Sequence, residues 1–357
     1  MCRDCDSTDT RTPAAPRIGI RFDARHVWPS APASPVVRPA RAIAMTFLAR
    51  LIATIIPTLI FVSMLIFGLQ QLLPGDPAVV LAGEDRDPTV VAYLRDKLHL
   101  DEPLPVRYFY WVRGVLHGDL GESLRLQKPV LELINEKLPV TLELACLAIV
   151  IAMAIGIPAG IISAVKRNTA WDFCANALAL WGLSTPNFWL GIMLILLFSV
   201  TLGWLPASGF VSPFEDLKAN LAALIMPAFV LGNAIAAVLM RHMRSAMLHV
   251  LSADYVRTAR AKGLPECNVV LQHALRNAMI PVITLGALEF GTLLSGAVLT
   301  EQVFTIPGFG KLIVDAVFNR DYAVVQGVVL FTATAYIVLN LLADIAYMVV
   351  DPRMRGR

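Results

Sequence analysis

Between Phe173 and Gly203, and again between Ala219 and Met240, the chain runs without a single charged residue. A hydrocarbon layer of ~30 Å is crossed by about 20 apolar residues in helical form, and that is the common use of such runs. A soluble domain would interrupt them, because roughly 25% of its residues are charged. Here only 16% are. Four more apolar runs accompany the first two: Phe47 to Gln71 with Arg50 near its start, Pro139 to Ala164 with Glu143, Met279 to Thr300 around Glu289, and Tyr322 to Val350 around Asp344. Pro57, Pro158, Pro186 and Pro227 fall in or beside these runs, where neighbouring helices can satisfy the backbone groups that proline frees. The sequence therefore predicts an all-α, polytopic membrane protein with six transmembrane helices, and excludes a large soluble catalytic domain. A formal net charge of +3 is too small to point to nucleic acid.

Cytoplasmic segments of membrane proteins retain Lys and Arg. With residues 1–50, 164–172, 241–278 and 351–357 on one side, Lys and Arg outnumber Asp and Glu there more than twofold, while the opposite loops are net acidic. Both termini are therefore expected inside, with a long acidic loop outside between the first two spans. The domain plan is a tail over 1–44, a first span with its external loop over 45–138, a five-helix core over 139–350, and a short cytoplasmic tail over 351–357. The first 44 residues are rich in Pro, Ala, Arg and Ser, show no helical period and lack the apolar core of a signal peptide. They are read as disordered, or as an extension ahead of a natural start at Met45. Cys2 and Cys5 form a lone pair without a second one, and Cys146, Cys174 and Cys267 imply no disulfide framework.

Hydropathy does not separate transporters from channels or intramembrane enzymes, but the basic segment from Arg241 to Pro281 narrows the choice. Ser252 reads as the N-cap of a short helix reaching Lys262, favoured by Ala253, Ala259 and Ala261. Gly263 supplies a stop and Pro265 a fresh start. A helix, a glycine bend and a helix, carrying Arg257, Arg260 and Lys262, suit docking into a groove on another protein. The same cations would also be attracted to anionic lipid, and the residues alone leave both readings open.

The stretch Asp254-Tyr255-Val256-Arg257-Thr258-Ala259-Arg260-Ala261-Lys262-Gly263, followed by His273-Ala274-Leu275-Arg276-Asn277-Ala278-Met279-Ile280-Pro281, resembles the coupling loop of ABC importer permeases of the dipeptide, oligopeptide, nickel and glutathione branch. The general pattern of that loop is Glu-Ala-Ala, three residues, then Gly; Arg257, Thr258 and Ala259 stand before Gly263 here, so the acidic first position is lost. Leu72-Leu73-Pro74-Gly75-Asp76-Pro77, Gly118-Asp119-Leu120-Gly121, Thr141-Leu142-Glu143-Leu144-Ala145 and Asp351-Pro352-Arg353 look like the same branch. The likeness spans about Met45 to Arg353. It implies a type I ABC importer subunit in the bacterial cytoplasmic (inner) membrane. Such a subunit pairs with a second, homologous permease, receives substrate from an extracytoplasmic solute-binding protein, and is driven by two ATP-binding subunits that hold ATP and Mg. The chain itself would bind no cofactor and hydrolyse no ATP. By the same resemblance Asp254, Tyr255, Arg257, Thr258, Ala259, Arg260, Ala261, Lys262, Gly263 and Leu264 form the ATPase-coupling segment, with Ala259 and Gly263 at its contact. The substrate would be a peptide or a similarly small polar solute; glutathione, nickel chelates and some opines are handled by near relatives.

Intramembrane carboxyls usually face a cavity or a partner. Glu289 lies well inside the fifth span, which lines the pathway in this fold by resemblance, and is the candidate pathway residue; a structural, paired carboxyl is the competing reading. Asp344, one turn after Asn340, suits a polar interhelical contact, and Glu143 is expected to reach the interface. Ser184-Thr185-Pro186-Asn187 interrupts the third span, where polar side chains either line a route or satisfy backbone released by Pro186. In the loop from Glu301 to Tyr322, Pro307-Gly308-Phe309-Gly310 forms a turn. The residues after it present Leu312, Ile313, Ala316 and Val317 as an apolar face expected to cap the outer mouth. Gly310-Lys311 is no phosphate-binding loop, because Leu312 replaces the needed Ser or Thr and Thr305 stands where the first glycine belongs. The dispersed His99, His117, His242, His249 and His273 have no metal-site spacing. Two rivals remain: an ion-coupled secondary transporter using Glu289 and Asp344, and an intramembrane hydrolase. Against the hydrolase, no nucleophile elbow or paired-carboxylate signature is present.

Overall fold

The computed structural model describes residues 40–71, 78–79, 82, 87–97, 99–123 and 125–350. Two compact units are distinguished, Met1–Ala53 and Thr54–Arg357. Of the first, only the beginning of helix α1 (Ala40–Gln71) is described. That helix starts at Ala40, inside the segment expected to be tail. The rest of the expected tail, the motif at 72–77 and the end at 351–353 lie outside the described residues.

The second unit is built from helices, with one short antiparallel hairpin, β1 (Glu122–Ser123) and β2 (Lys128–Pro129). After α2 (Pro88–Lys97) and α3 (Leu104–Leu116), the hairpin leads directly into α4 (Val130–Val165). The chain continues through α5 (Ala170–Ser184), α6 (Asn187–Leu194, extended by a π-helical turn over Ile195–Thr201) and α7 (Leu217–Leu251). Then come α8 (Asp254–Ala261), α9 (Glu266–Asn268), a π-helical stretch over Val269–Ala274, and α10 (Leu275–Gly296). The last three are α11 (Val298–Val303), α12 (Phe309–Phe318) and α13 (Tyr322–Val350).

The centre of the unit is the pair α4 and α7. Ala148, Ala152, Gly156 and Gly160 recur every fourth residue, which places them in one stripe of α4. A Cβ on Gly156 would stand 2.6 Å from the Ala236 carbonyl oxygen, one on Gly160 2.7 Å from that of Met240, and one on Gly232 2.7 Å from that of Ala148. Small residues at four-residue spacing let two backbones touch, the usual device where lipid removes the hydrophobic drive between helices. Partners rise together in sequence, so α4 and α7 run parallel. The chain between them must return across the same thickness.

It returns by a broken helix. α5 and the α6 segment form one apolar unit bent by 101° at Thr185 and Pro186, where the sequence suggested an interrupted but single span. Pro186 has no N–H for the Gly182 carbonyl. Asn233 of α7 donates to that carbonyl instead, at 3.3 Å, and the Thr185 hydroxyl donates to the Trp181 carbonyl at 2.7 Å. The carbonyl that Pro186 frees is thus met from α7 and not from the 184–187 segment, while the Trp181 carbonyl also accepts from the Thr185 backbone N–H at 3.0 Å.

Among the described residues, three helices, α4, α7 and Tyr322–Leu339 of α13, are long and apolar enough to cross a membrane, or four if the bent pair counts as one; α1 adds a shorter apolar helix over Ala53–Leu69. The expected packing of the 301–322 loop appears in a separate apolar cluster. Phe309, Leu312 and Ala316 of α12 meet Val130, Leu133 and Ile134 of α4 and Val324 and Val328 of α13. Val317, expected on that face, is exposed.

Candidate coupling site

Two residues, Ser252 and Ala253, separate the end of α7 from the start of α8. The helix–glycine–helix reading holds, but its start is displaced: the Ser252 hydroxyl donates to the His249 carbonyl at 2.7 Å and so finishes α7 rather than capping α8. Ala253, extended at φ −72° and ψ 149°, occupies the N-cap position without a side-chain bond. Asp254 in the first turn and Arg260 in the last suit the helix dipole. At the far end Gly263 takes φ +77° with open space around its Cα. It is needed there for its left-handed backbone and not for clearance. Pro265 then opens α9 as its N-cap.

The short helix has two faces. Val256 and Ala259 are buried against Val250, Leu251 and Val269. Asp254, Tyr255, Arg257, Thr258, Arg260, Ala261, Lys262, Gly263 and Leu264 are exposed. Ala259 was expected on the surface offered to a partner; at 6% exposure it is turned inward, and its small side chain serves the close approach of α8 to the π-helical stretch of its own chain. The outward face is polar and basic. Asn277 of α10 donates to the Tyr255 hydroxyl at 2.8 Å, and Arg260 forms a two-pronged pair with Glu266 at 3.1 and 2.6 Å. That pairing holds the Arg260 guanidinium above and the Glu266 carboxyl below their ordinary values. Arg257 meets Asp254 only at 3.5 Å on an open surface. α8 is thus fixed to α7 at one side and to α10 at the other, with a cationic face left over.

Two carboxylates that the sequence placed in loops prove to be built into the fold. Asp172, in the first turn of α5, is buried and accepts from Arg244 of α7 through Nε and Nη2, both at 2.9 Å. It also accepts from the Ser163 hydroxyl of α4, from Asn176 Nδ2 at 2.7 Å and from the Asn168 backbone N–H at 3.0 Å. The only local signal was Asn176 one turn after Asp172 on an otherwise apolar helix. Glu301 of α11 is fully buried; it accepts from the Thr141 hydroxyl at 2.6 Å, from the Lys311 N–H at 2.8 Å and from the Gly310 N–H. It therefore serves backbone N–H groups at the start of α12 that have no partner within the helix. Thr141 in turn accepts from the Phe309 N–H at 2.8 Å. A Cβ on Gly308 would run into the Glu301 carboxyl group, and burial pushes that carboxyl above its ordinary value. Glu289 is half-buried and takes a 3.2 Å bond from the Thr292 hydroxyl, and Glu143 is half-buried. The Asp344 side chain lies outside the described residues. No group of three or more potential metal ligands occurs among the described residues.

The model of the "Binding-protein-dependent transport system inner membrane component" family matches residues 156–356, which include α8 and both of its neighbours, and the corresponding N-terminal model matches 44–145. The chain belongs to this family. It is similar to the dipeptide transport system permease protein of Escherichia coli K12, 44% identical over 337 residues, covering 88% of this chain and 99% of the relative. A putative peptide transport system permease protein of Brucella abortus strain 2308 is 44% identical over 305 residues, 85% of this chain and 97% of its own length. In structure it resembles a chain from the inward-facing MetNI methionine ABC transporter, with a TM-score of 0.52 at 18% identity over 62% of this chain and 97% of that one; this likeness shows the fold alone. The chain is an ABC importer permease, a multi-pass inner-membrane component and not an enzyme.

Proposed function

We propose that this permease carries peptides, delivered by an extracytoplasmic binding protein, through a pathway it forms with a second homologous permease. Two ATPase subunits, which hold the ATP and Mg, would act on α8 from the cytoplasm, and all six runs of the sequence would cross the membrane with both termini inside. Two relatives at 44% identity named for peptides support the substrate class. The observation that carries the coupling role is the two-faced α8. Its apolar side packs on α7 and on Val269 of the π-helical stretch that runs into α10, Tyr255 is bonded by Asn277 of α10, and its exposed side offers Tyr255, Arg257, Thr258 and Lys262. A push on that exposed face reaches two long helices at once. Domain and helix rocking of this kind is the common means of switching access. Glu289, partly open and without a cationic partner in its described bonds, is offered as the carboxylate that meets a cationic group of the substrate.

The test is Gly263→Pro in the complete complex with its ATPases and binding protein. Proline fixes φ near −65° and cannot adopt the observed +77°. Stimulation of ATP turnover by binding protein loaded with a defined mixture of di- and tripeptides is expected to fall at least tenfold while the subunits remain assembled. Normal stimulation in the assembled variant would refute the role given to α8.

A further inference from the structure

Arg244 stands seven residues before the end of α7, about 10 Å along the axis from the link into α8. Its guanidinium does not complete Asp172; that carboxylate is already bonded within its own hairpin by Ser163 of α4, the Asn168 N–H of the turn and Asn176 of α5. The turn itself is fixed, with Asn168 at φ +61°. What Arg244 adds is a bond from outside the hairpin, two-pronged to Asp172 and one-pronged to Ser163 at 2.9 Å. Besides this cluster, Asn233 bonds the Gly182 carbonyl across α5 and α7 at 3.3 Å, near the opposite end of α5. Between them lies apolar packing, Ala179 on Ala237 and Met240 with Ala175 beside them. On the other side of α5, Phe173, Leu178, Leu180 and Trp181 are exposed among the described residues.

We propose that Arg244 is a positioning residue that locks the α4–α5 hairpin to α7, so that displacement of α8 carries α5 and its 101° bend along with α7. The proposal rests on the coupling role given to α8 above. Planar guanidinium bonding in a fork resists rotation as well as separation, which a single lysine bond would not. The charge pair thereby converts a push at the end of one helix into movement of a three-helix block. Without it, α5 is held to α7 by apolar packing and the Asn233 bond near its far end, and follows α7 less closely at the end nearest α8.

The experiment compares Arg244→Gln, Asp172→Asn and Arg244→Lys in the complete reconstituted complex. It reads ATP turnover with and without binding protein carrying the same di- and tripeptide mixture, together with the amount of assembled complex. The hairpin bonds of Asp172 survive both Arg244 substitutions, so assembly is expected to be retained. Arg244→Gln is expected to leave unstimulated turnover within about twofold and to reduce the stimulated-to-unstimulated ratio at least tenfold, with Asp172→Asn alike and Arg244→Lys recovering part of the ratio. An unchanged ratio in Arg244→Gln overturns the proposal. So do stimulated and unstimulated rates that fall together with the amount of complex, or a lysine variant no better than the glutamine one. Gly263→Pro in the same series separates the two claims. If it abolishes stimulation while Arg244→Gln does not, the lock alone fails; if neither has an effect, the role of α8 fails first.

Discussion

Two buried carboxylates bracket the apolar part of α4, at Thr141 and at Ser163, and they are held in opposite ways. Ser163, which bonds Asp172, and Thr141, which bonds Glu301, are separated by about 33 Å of helix, close to the ~30 Å thickness of a hydrocarbon core. Asp172 faces a guanidinium from another helix and has several neutral donors besides. Glu301 has only neutral donors: one hydroxyl and two backbone N–H groups at the start of α12. The first arrangement ties long helices together by charge. The second uses a carboxyl as a local clip, folding α11, the turn at Thr305 and α12 onto α4. A clip made of neutral donors depends on every one of them, because no opposite charge compensates when one is lost.

Glu301→Ala is therefore expected to be the most damaging of the substitutions that separate these arrangements. It leaves the Thr141 hydroxyl and two backbone donors unpaired in a site with no solvent access, and opens a void beside Gly308 and Gly310. Losses of this kind total about 2–4 kcal/mol, to be read as a lowered thermal midpoint of the purified protein. Asp172→Asn keeps the shape and most of the hairpin donors, and is expected to lower the midpoint less. The reverse order would show that charge pairing, and not donor satisfaction, decides which end is more vulnerable.

The same contrast has a pH signature. Because burial raises the Glu301 carboxyl above its unfolded value, the folded state favours the protonated form. Its contribution is complete below the ordinary carboxylate range and is lost as pH rises through the raised folded value. Each unit of such a difference corresponds to ~1.4 kcal/mol. Glu301→Gln removes the titration, so the midpoint of wild type minus that of the variant should shrink as pH rises from about 4 towards 7. A difference that is flat or grows with pH would mean that the three donors outweigh burial.

How much of this could be read from the chain follows the range of the interactions. The uncharged stretch at 219–240 lies within α7 because helix length and apolarity are local properties. Gly263 as a helix stop is also local, a matter of one residue's backbone. Asp172 and Arg244 meet across 72 positions, and Thr141 and Glu301 across 160; no periodicity reports such pairs. Glu301 looked like the first residue of an external loop because it follows an apolar run. Its burial depends on Gly308 and Gly310 having no side chains to occupy the same space. Ala259 was legible as small but not as inward, since the eight residues of α8 contain too little apolar pattern to orient it against Val269.

The mildest test concerns a second arginine–carboxylate pair. Arg260 and Glu266 share the two-pronged geometry of Arg244 and Asp172, but their side chains are 42% and 55% exposed against 27% and 5%. Water and salt screen the first pair, and exposed pairs contribute about 0.2–1 kcal/mol. Arg260→Ala is accordingly expected to lower the thermal midpoint only slightly, by an amount that disappears in high salt. The Glu266 carboxyl is held below its unfolded value, so whatever the pair adds is present above the ordinary carboxylate range and is lost as pH falls through the lowered value. If Arg260→Ala instead lowers the thermal midpoint as far as Asp172→Asn does, geometry alone would suffice for the stabilisation. Burial would then have no part in it, and the contrast between a structural pair and a surface pair would collapse.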